Sequence, residues 1–593
     1  CLRSWGGGHI MTRVFGAIDG PYSATTPYSM APGDYFFGRL TYGDRDVVSV
    51  TLQAGQTYTI SMVGTGALNT GVYDTYLKIW DPTGTYVSYQ DDDSGPGLNS
   101  SITFTAYASG TYYIDPTSTS YYLSDTGTYA VSVTLGDKAS YDYVMGAAAL
   151  LRVDASWSAT AGTPVTVTWG IRSGGFATDA SGYPVAFEAL TASQVATVSG
   201  IMSMIDGICG IDLVQVNAGG TTQNATILVG GYTSTTDGAG AYAYYPGSTL
   251  SSNVAGDLWL NNNSFNYSGG SFGSWNYFAI MHEMGHALGL AHPGDYKASP
   301  GSSIQYDLDA QFIEDTHQYT VMSYFDEYYT GGYTGYSYPD TFLLFDFYAL
   351  HQLYGADRTY HSGNSVYGFN SNMAGPFDFN VNTDPFLCIW DGGGADTLDL
   401  SGYAMSQVID IRAGSFSDIG GYLRNLSIAV GAIIENVIGG SGVDVITGNG
   451  AANKVWAGAG SDSVVGGIGN DSLYGGNNYD TIRGGDGDDR VWGGNGRDLI
   501  FLGNGNDVFW DNAQADANGH DRVYGGAGND TVNGGGGNEV IYGEAGSDSL
   551  IGGIGNDTLW GGADADRFVF LAGCGGDRVG DFEDGIDRLV LDG

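Results

Sequence analysis

Residues 34–136 alternate apolar and polar positions, with turn signals between the runs. RDVVSVTLQAGQTYTISMVG and TYLKIWDPTGTYVSYQDDD each read as strand, turn, strand. SSITFTAYASGTYYIDP and TGTYAVSVTL keep the period of two, and no helical period interrupts it. Short strands at this spacing predict a small β-sandwich. Between 137 and 355 the period changes repeatedly. SQVATVSGIMSMIDGI has apolar residues at helical spacing, ATILVGGY and GDLWLNN read as strands, and WNYFAIMHEMGHALGLA is a helix. That mixture predicts an α+β globular domain.

From 439 the chain repeats every nine residues, as in GGIGNDSLY, GGDGDDRVW and GGNGRDLIF. A fixed period outranks local propensity. The sixth place is usually aspartate: Asp444, Asp462, Asp471, Asp480, Asp489, Asp498 and Asp507. After a fourteen-residue interruption at 511–524 the register resumes with Asp530, Asp548 and Asp557. The eighth place is always aliphatic or aromatic. Six residues, GGxGxD, turn the chain through backbone angles that a Cβ forbids. The next three form a short strand whose middle side chain points inward. Two nonapeptides make one coil, and stacked coils make a parallel β-roll. Carboxylates from successive coils then face each other across a gap suited to Ca²⁺, so several structural calcium ions are expected to be part of the fold's stability. The architecture expected is therefore multidomain: an N-terminal segment (1–33), a β-sandwich (34–136), an α+β domain (137–355) and a calcium-binding parallel β-roll (356–593).

Composition narrows the partners. The 593 residues carry 64 acids against 20 bases, a formal charge of −44, which argues against nucleic acid and anionic membrane surfaces. Of the acids 56 are Asp and only 8 Glu, and Gly reaches 98, a balance that favours turns and hard oxygen ligands over helices. A salt-adapted acidic surface explains part of the excess, because residues 439–593 account for only −17 of it. Cys1, Cys209, Cys388 and Cys574 are far apart and show neither metal-ligand nor disulfide-framework spacing. No stretch approaches the roughly 20 apolar residues of a membrane span. The first thirty residues lack the basic-then-apolar pattern of a secretory signal.

The sharpest chemistry is HEMGHALGLAH. His282 and His286 are four apart, so a helix places both imidazoles on one face, one turn apart. Glu283 can reach a metal-bound water without ligating. Gly289 lets the chain leave the helix sharply and brings His292 round as third ligand, and Pro293 prevents continuation. Three neutral nitrogens leave the fourth position of one catalytic Zn²⁺ open. A lone HExxH is a weak signal; five fixed residues at this spacing are far more specific.

Downstream lies YTVMSY, residues 319–324. The extended zinc motif with a following Met-turn resembles the metzincin metalloproteases. Within them His292–Pro293 and MSY narrow the likeness to the serralysin family, whose RTX repeats the nonapeptides resemble. The likeness continues through LHQLYGAD, SVYGFNS, WDGGGADTLDLSGY and IRAGSFSDIGG, and covers roughly 137 to the C-terminus. The resemblance implies Met322 as an apolar floor beneath the histidines. It implies Tyr324 as a further zinc ligand that swings off to stabilise the transition state, and Asp391, Gly393, Asp396 and Glu435 as ligands of linker-region calcium. Residues 34–136, through GDRDVVSVTLQAGQTY, DDDSGPGLNSSI and SGTYYI, resemble a pre-peptidase accessory domain. Where the family usually has Arg-Thr-Gly-Asp before VYGF, this chain has His361-Ser362-Gly363-Asn364, which removes a charge from one calcium site. Family members also continue past the point where this chain stops, DRLVLDG, and this chain starts at Cys1 without Met, so a sequence truncated at its C-terminus is expected.

These features imply a secreted, calcium-stabilised zinc endopeptidase, acting on protein or peptide substrates as a monomer and exported by type I secretion machinery. Zinc lowers the pKa of its water and polarises the peptide carbonyl; Glu283 takes the proton and delivers it to the leaving amine. In calcium-poor cytosol the roll stays unfolded, and it folds outside. A non-catalytic, calcium-dependent adhesion protein with a relict protease domain predicts a damaged zinc constellation, and none is visible. A lipase on the same repeats needs a G-x-S-x-G nucleophile elbow beside a strand, and no convincing one is present.

Overall fold

The computed structural model describes residues 13–15, 28–40, 46–65, 72, 75–80, 82, 89–91, 99–118, 127–152, 155–175, 177–178, 180, 182–235, 239–247, 254–294, 296, 304–511 and 519–592. The chain divides into two compact units, Cys1–Gly332 with Tyr336–Asp357, and Tyr333–Gly335 with Arg358–Gly593.

In the first unit the alternating stretches pair into two five-stranded sheets. One centres on Gly127–Leu135 between Tyr35–Leu40 and Thr57–Gly64; the other centres on Gly110–Ser118 between Val48–Leu52 and Thr75–Trp80. Val48, Val50, Leu52, Ile60, Met62, Leu77, Ile79, Val131 and Val133 fill the space between them. This is the expected sandwich. It also takes in Arg13–Phe15 and Tyr28–Met30, which add in parallel to Tyr35–Leu40 and Val48–Leu52. Three-residue strands offer too few alternating positions to be read, so the sandwich starts before residue 34.

The sandwich runs into the α+β part through buried polar contacts. Glu314 accepts from Ser140 Oγ at 2.6 Å and from the Tyr141 N–H at 2.6 Å. Tyr35 of the sandwich lies against Ser140 at 3.2 Å, and Tyr141 stacks on Phe312 with ring centroids 4.3 Å apart. The α+β part is a mostly parallel sheet in the order Ile211–Gln215, Val165–Ile171, Ile227–Tyr232, Leu258–Asn261, closed by the antiparallel edge strand Ala241–Ala243. Helix Ala192–Ile205 starts in a Thr191/Gln194 capping box and buries Val198, Ile201, Met202 and Ile205. Helix Trp275–Ala287 lies against the edge strand. No helix among the described residues is long and apolar enough to cross a membrane.

The second unit is a parallel β-roll of two long sheets, one of eleven strands and one of nine. Lys454 pairs with Ser472 and Ser472 with Arg490, so one coil is 18 residues, two nonapeptides. The eighth-place side chains, Val464, Leu473, Ile482, Val491 and Ile500 among them, are fully buried between the sheets. The interruption at 511–524 is shorter than the motif spacing suggests. Leu499 pairs with Arg522 and Val508 with Thr531, a shift of 23, so the coil is merely five residues longer and the strand Arg522–Ala527 is in register. Only the glycine half of that nonapeptide is replaced. Cys209, Cys388 and Cys574 form no disulfide with one another, and Cys1 lies outside the described residues.

Candidate metal centres

Ser274 caps the helix Trp275–Ala287 by accepting from the Tyr277 N–H, and the helix carries His282 and His286 in its last two turns. The exit is set by Gly289 at φ +101°, where a Cβ would collide with the Ala155 carbonyl oxygen. That turn does two things. It presents the Leu290 carbonyl to His286 Nδ1 at 2.8 Å, and it carries His292 back over the helix. His282 Nδ1 meets the Val321 carbonyl at 2.7 Å. Each Nδ1 therefore holds its proton against a carbonyl, leaving the Nε2 lone pairs free. His292 Nε2 lies 3.1 Å from the Nε2 of His282 and 3.1 Å from that of His286. Nitrogens sharing one tetrahedral zinc at its usual bond length stand about 3.3 Å apart. Burial lowers His282 to about 4 and His286 to about 3, and holds His292 well below the ordinary range, so all three are neutral ligands at neutral pH. The donor set fits zinc.

The flanking residues are set just as firmly. Glu283 is buried, its carboxyl pushed up to about 8 by that burial, with a backbone hydrogen bond from Ala243 opposing the shift. Met322 is fully buried against Gly285; any Cβ there would run into its Sδ. Tyr324 is 43% exposed, with its ring centroid 4.6 Å from that of His292 and 5.0 Å from that of Tyr296, on which it stacks. Two carboxylates hold this wall from behind. Asp315 accepts from the Tyr296 hydroxyl and from Ser323 Oγ, the latter at 2.8 Å. Asp346 accepts from Thr320 Oγ1 at 2.6 Å, from the Val321 N–H at 2.8 Å and from the Leu343 N–H at 2.9 Å. It thus fixes the residue whose carbonyl orients His282. Neither Asp315 nor Asp346 was singled out from sequence; the signal for Asp346 is the one acid in the mainly apolar first two turns of LFDFYALHQLY. Gly289→Ala is expected to weaken zinc binding about 10–100-fold, because it moves both His292 and the carbonyl that orients His286. Competition against a chromophoric chelator measures it, and an unchanged affinity would mean the turn absorbs the Cβ.

In the roll the sixth-place aspartates form a ladder. Oδ1 of Asp480 accepts from the Asp462 N–H, Asp489 from Asp471, Asp498 from Asp480 and Asp507 from Asp489, each at 2.7–2.8 Å. Oδ2 of each of these, and of Asp462, Asp471, Asp530, Asp548 and Asp557, is buried with no hydrogen-bond partner. Asp444 differs: its two oxygens accept from the Gln407 and Gly440 N–H groups. A Cβ on Gly466, Gly484, Gly543 or Gly552 would strike the lone oxygen of the aspartate five places on. The first glycine of the repeat thus keeps a space open beside an orphaned carboxylate oxygen, and that space fits calcium. Burial raises Asp471, Asp489, Asp498 and Asp530 to about 7 and Asp480 to about 8.

The same geometry extends to residues outside the predicted set. Asp521 and Asp566 accept the ladder bond and carry the same orphaned Oδ2, while at Glu539 both carboxylate oxygens are buried without a partner. Asp521 was hidden by the missing glycines before it, and Glu539 by being the longer acid. Extending the period by one repeat finds Asp566. Before the repeats, Asp391, Asp396 and Glu435 are brought together. Glu435 accepts from the Asp396 N–H at 2.8 Å, Asp391 accepts from the Gly393 N–H at 2.7 Å, and Asp396 Oδ2 is buried and orphaned. Asn364, in the departing His361–Asn364 stretch, accepts from the Ala395 N–H at 3.2 Å.

Three stretches of the chain match known families. Residues 356–524 match the family model for the serralysin C-terminal part of M10 peptidases. Residues 517–550 and 542–573 match the RTX calcium-binding nonapeptide repeat, and 44–118 match the bacterial pre-peptidase C-terminal domain. Serralysin of Proteus mirabilis is 44% identical over 219 residues, covering 36% of this chain and 43% of that protein. Serralysin G of Dickeya chrysanthemi is 43% identical over 237 residues, covering 38% and 48%. The chain thus spans somewhat under half the length of these two relatives. Metallopeptidase AprA of Pseudomonas marginalis is 35% identical over 332 residues, 54% of this chain and 68% of the relative. A match of that depth and extent, on a chain with a convergent histidine triad and a roll of orphaned carboxylates, places it: the chain belongs to the serralysin family of metallopeptidases.

Proposed function

We propose that the chain is a secreted zinc endopeptidase whose roll folds around calcium. The observation that carries this reading is the meeting of three neutral imidazole Nε2 atoms beside the buried, non-ligating Glu283. Zinc held by His282, His286 and His292 supplies Lewis-acid activation of water and of the peptide carbonyl. With the charge of zinc beside it drawing its carboxyl back down, Glu283 would be ionised, would accept the proton from the attacking water and would pass it to the leaving amine. The Tyr324 phenol, protonated at neutral pH like any tyrosine, would donate to the developing oxyanion. Asp346 and the Val321 carbonyl keep His282 in one tautomer throughout. Relatives named as serralysins and metallopeptidases support proteins or peptides as substrates, and the RTX repeats support export through a type I channel. An adhesion protein with a relict protease domain is disfavoured by the intact donor set.

The test is hydrolysis of casein by the purified chain in millimolar calcium. Activity should be lost when a chelator strips the zinc and return when one equivalent is restored. A zinc-loaded, calcium-loaded chain that cleaves neither casein nor gelatin would overturn the reading.

A further inference from the structure

The interrupted coil carries an acid where the repeat carries its first glycine. Counted in nines from 439, Asp511 holds the first place of its nonapeptide. Its backbone keeps that register: its N–H donates to the Asn533 carbonyl, as Gly439 donates to Trp456 and Gly448 to Val465. In the regular coils a first-place Cβ would strike the aspartate five places on. After Asp511 the next ladder aspartate, Asp521, is ten places on, which leaves this first place able to carry a side chain.

That side chain enters the channel beside the ladder. A Cβ on a regular first glycine would meet the orphaned aspartate oxygen and a backbone carbonyl from the next coil: that of Gly484 for Gly466, of Gly493 for Gly475 and of Gly561 for Gly543. On Gly493 it would meet Asp498 Oδ2 and, instead of a carbonyl, Asp511 Oδ1, which accepts from the Gly494 N–H at 3.0 Å. A neutral oxygen is exchanged for a charged one. Among the described residues of the roll this is the one place where three carboxylates bring ligand atoms within 4.8 Å of one another: Asp498, Asp511 and Asp521. Asp498 and Asp521 are 2% and 1% exposed, and the Oδ2 of each has no hydrogen-bond partner. Two buried, orphaned anionic oxygens beside a third carboxylate repel one another unless a cation lies between them.

We propose, resting on the reading that the roll takes calcium, that Asp511 makes with Asp498 and Asp521 a calcium site built outside the repeat pattern, and that this site holds the tightest ion of the roll. Calcium affinity follows the charge of the ligands, and this space has one carboxylate more than its neighbours. The donors are all oxygen, which suits calcium over softer ions. Asp498 lies before the interruption and Asp521 after it, so the ion ties the long coil to the one it stacks on.

The test counts calcium on the full chain, dialysed against chelator buffers of stepped free calcium. One ion is expected to persist to free calcium at least about tenfold below that which releases the rest. Asp511→Asn, which keeps an acceptor for Gly494, should erase that difference. Asp511→Gly, which restores the repeat's own residue, should do the same. Asp486→Asn removes an equal charge from an exposed third place, where it accepts from Asn504 Nδ2 at 2.7 Å, and should leave the tight ion bound. A native chain that releases all its ions over one range overturns the proposal. So does a tight ion that survives Asp511→Asn, or one that Asp486→Asn weakens equally. A chain that binds no calcium at all would overturn the calcium reading of the roll as well.

Discussion

Glu283→Gln is expected to leave zinc bound and lower kcat/KM by about 10³-fold or more, at the upper part of what a positioned general base contributes. The reasons are local. Glu283 follows His282 directly on the helix Trp275–Ala287, so it borders the ligand face while lying outside the convergent set. It is buried, and the groups around it are histidines held neutral by burial and the Tyr324 phenol. Gln keeps the volume and the Ala243 contact and removes only the ability to take a proton. Zinc content by metal analysis, beside steady-state cleavage of a peptide, separates the two possibilities. Activity within about tenfold of native would assign the base elsewhere. Loss of the zinc would make Glu283 a positioning residue instead.

Much of this was legible in the chain because period and spacing are strict where the chemistry is. HEMGHALGLAH fixes two ligands by helical geometry and the third by Gly289, whose positive φ the structure contains. The roll was legible because its nine-residue rule repeats at both the turn and the inward strand position. What escaped lies where one rule lapses. Asp521 keeps its place on the ladder although the glycines before it are gone, because only the strand half must stay in register. Asp346 and Asp315 act through contacts 25 and 8 residues distant in sequence, which no local pattern encodes. The strands before residue 34 are three residues long and owe their conformation to the sheet edges they join.

Chelating calcium is expected to unfold the roll while the ion-loaded chain stays folded. The structure gives the reason in its orphaned atoms. From Asp462 to Asp566 each rung contributes at least one carboxylate oxygen that is buried and has no donor. Each is costly to leave so, because burial removes water and the ladder hydrogen bond occupies at most the other oxygen. The raised carboxyls, about 7 to 8 for Asp471, Asp480, Asp489, Asp498 and Asp530, express that cost. The eighth-place side chains oppose it, but a parallel roll has a thin core. A calcium ion at a hundred times its dissociation constant adds roughly 2.7 kcal/mol. Four or five such ions therefore equal the whole stability of an ordinary domain, about 5–15 kcal/mol. Far-UV circular dichroism with limited proteolysis would follow the change. With a calcium chelator at neutral pH, cleavage should spread through 439–592, and restored calcium should reverse it. A roll that keeps its strands and its protection without the ion would mean that the apolar stack alone outweighs the buried carboxylates. The open space beside each first glycine would then need another explanation.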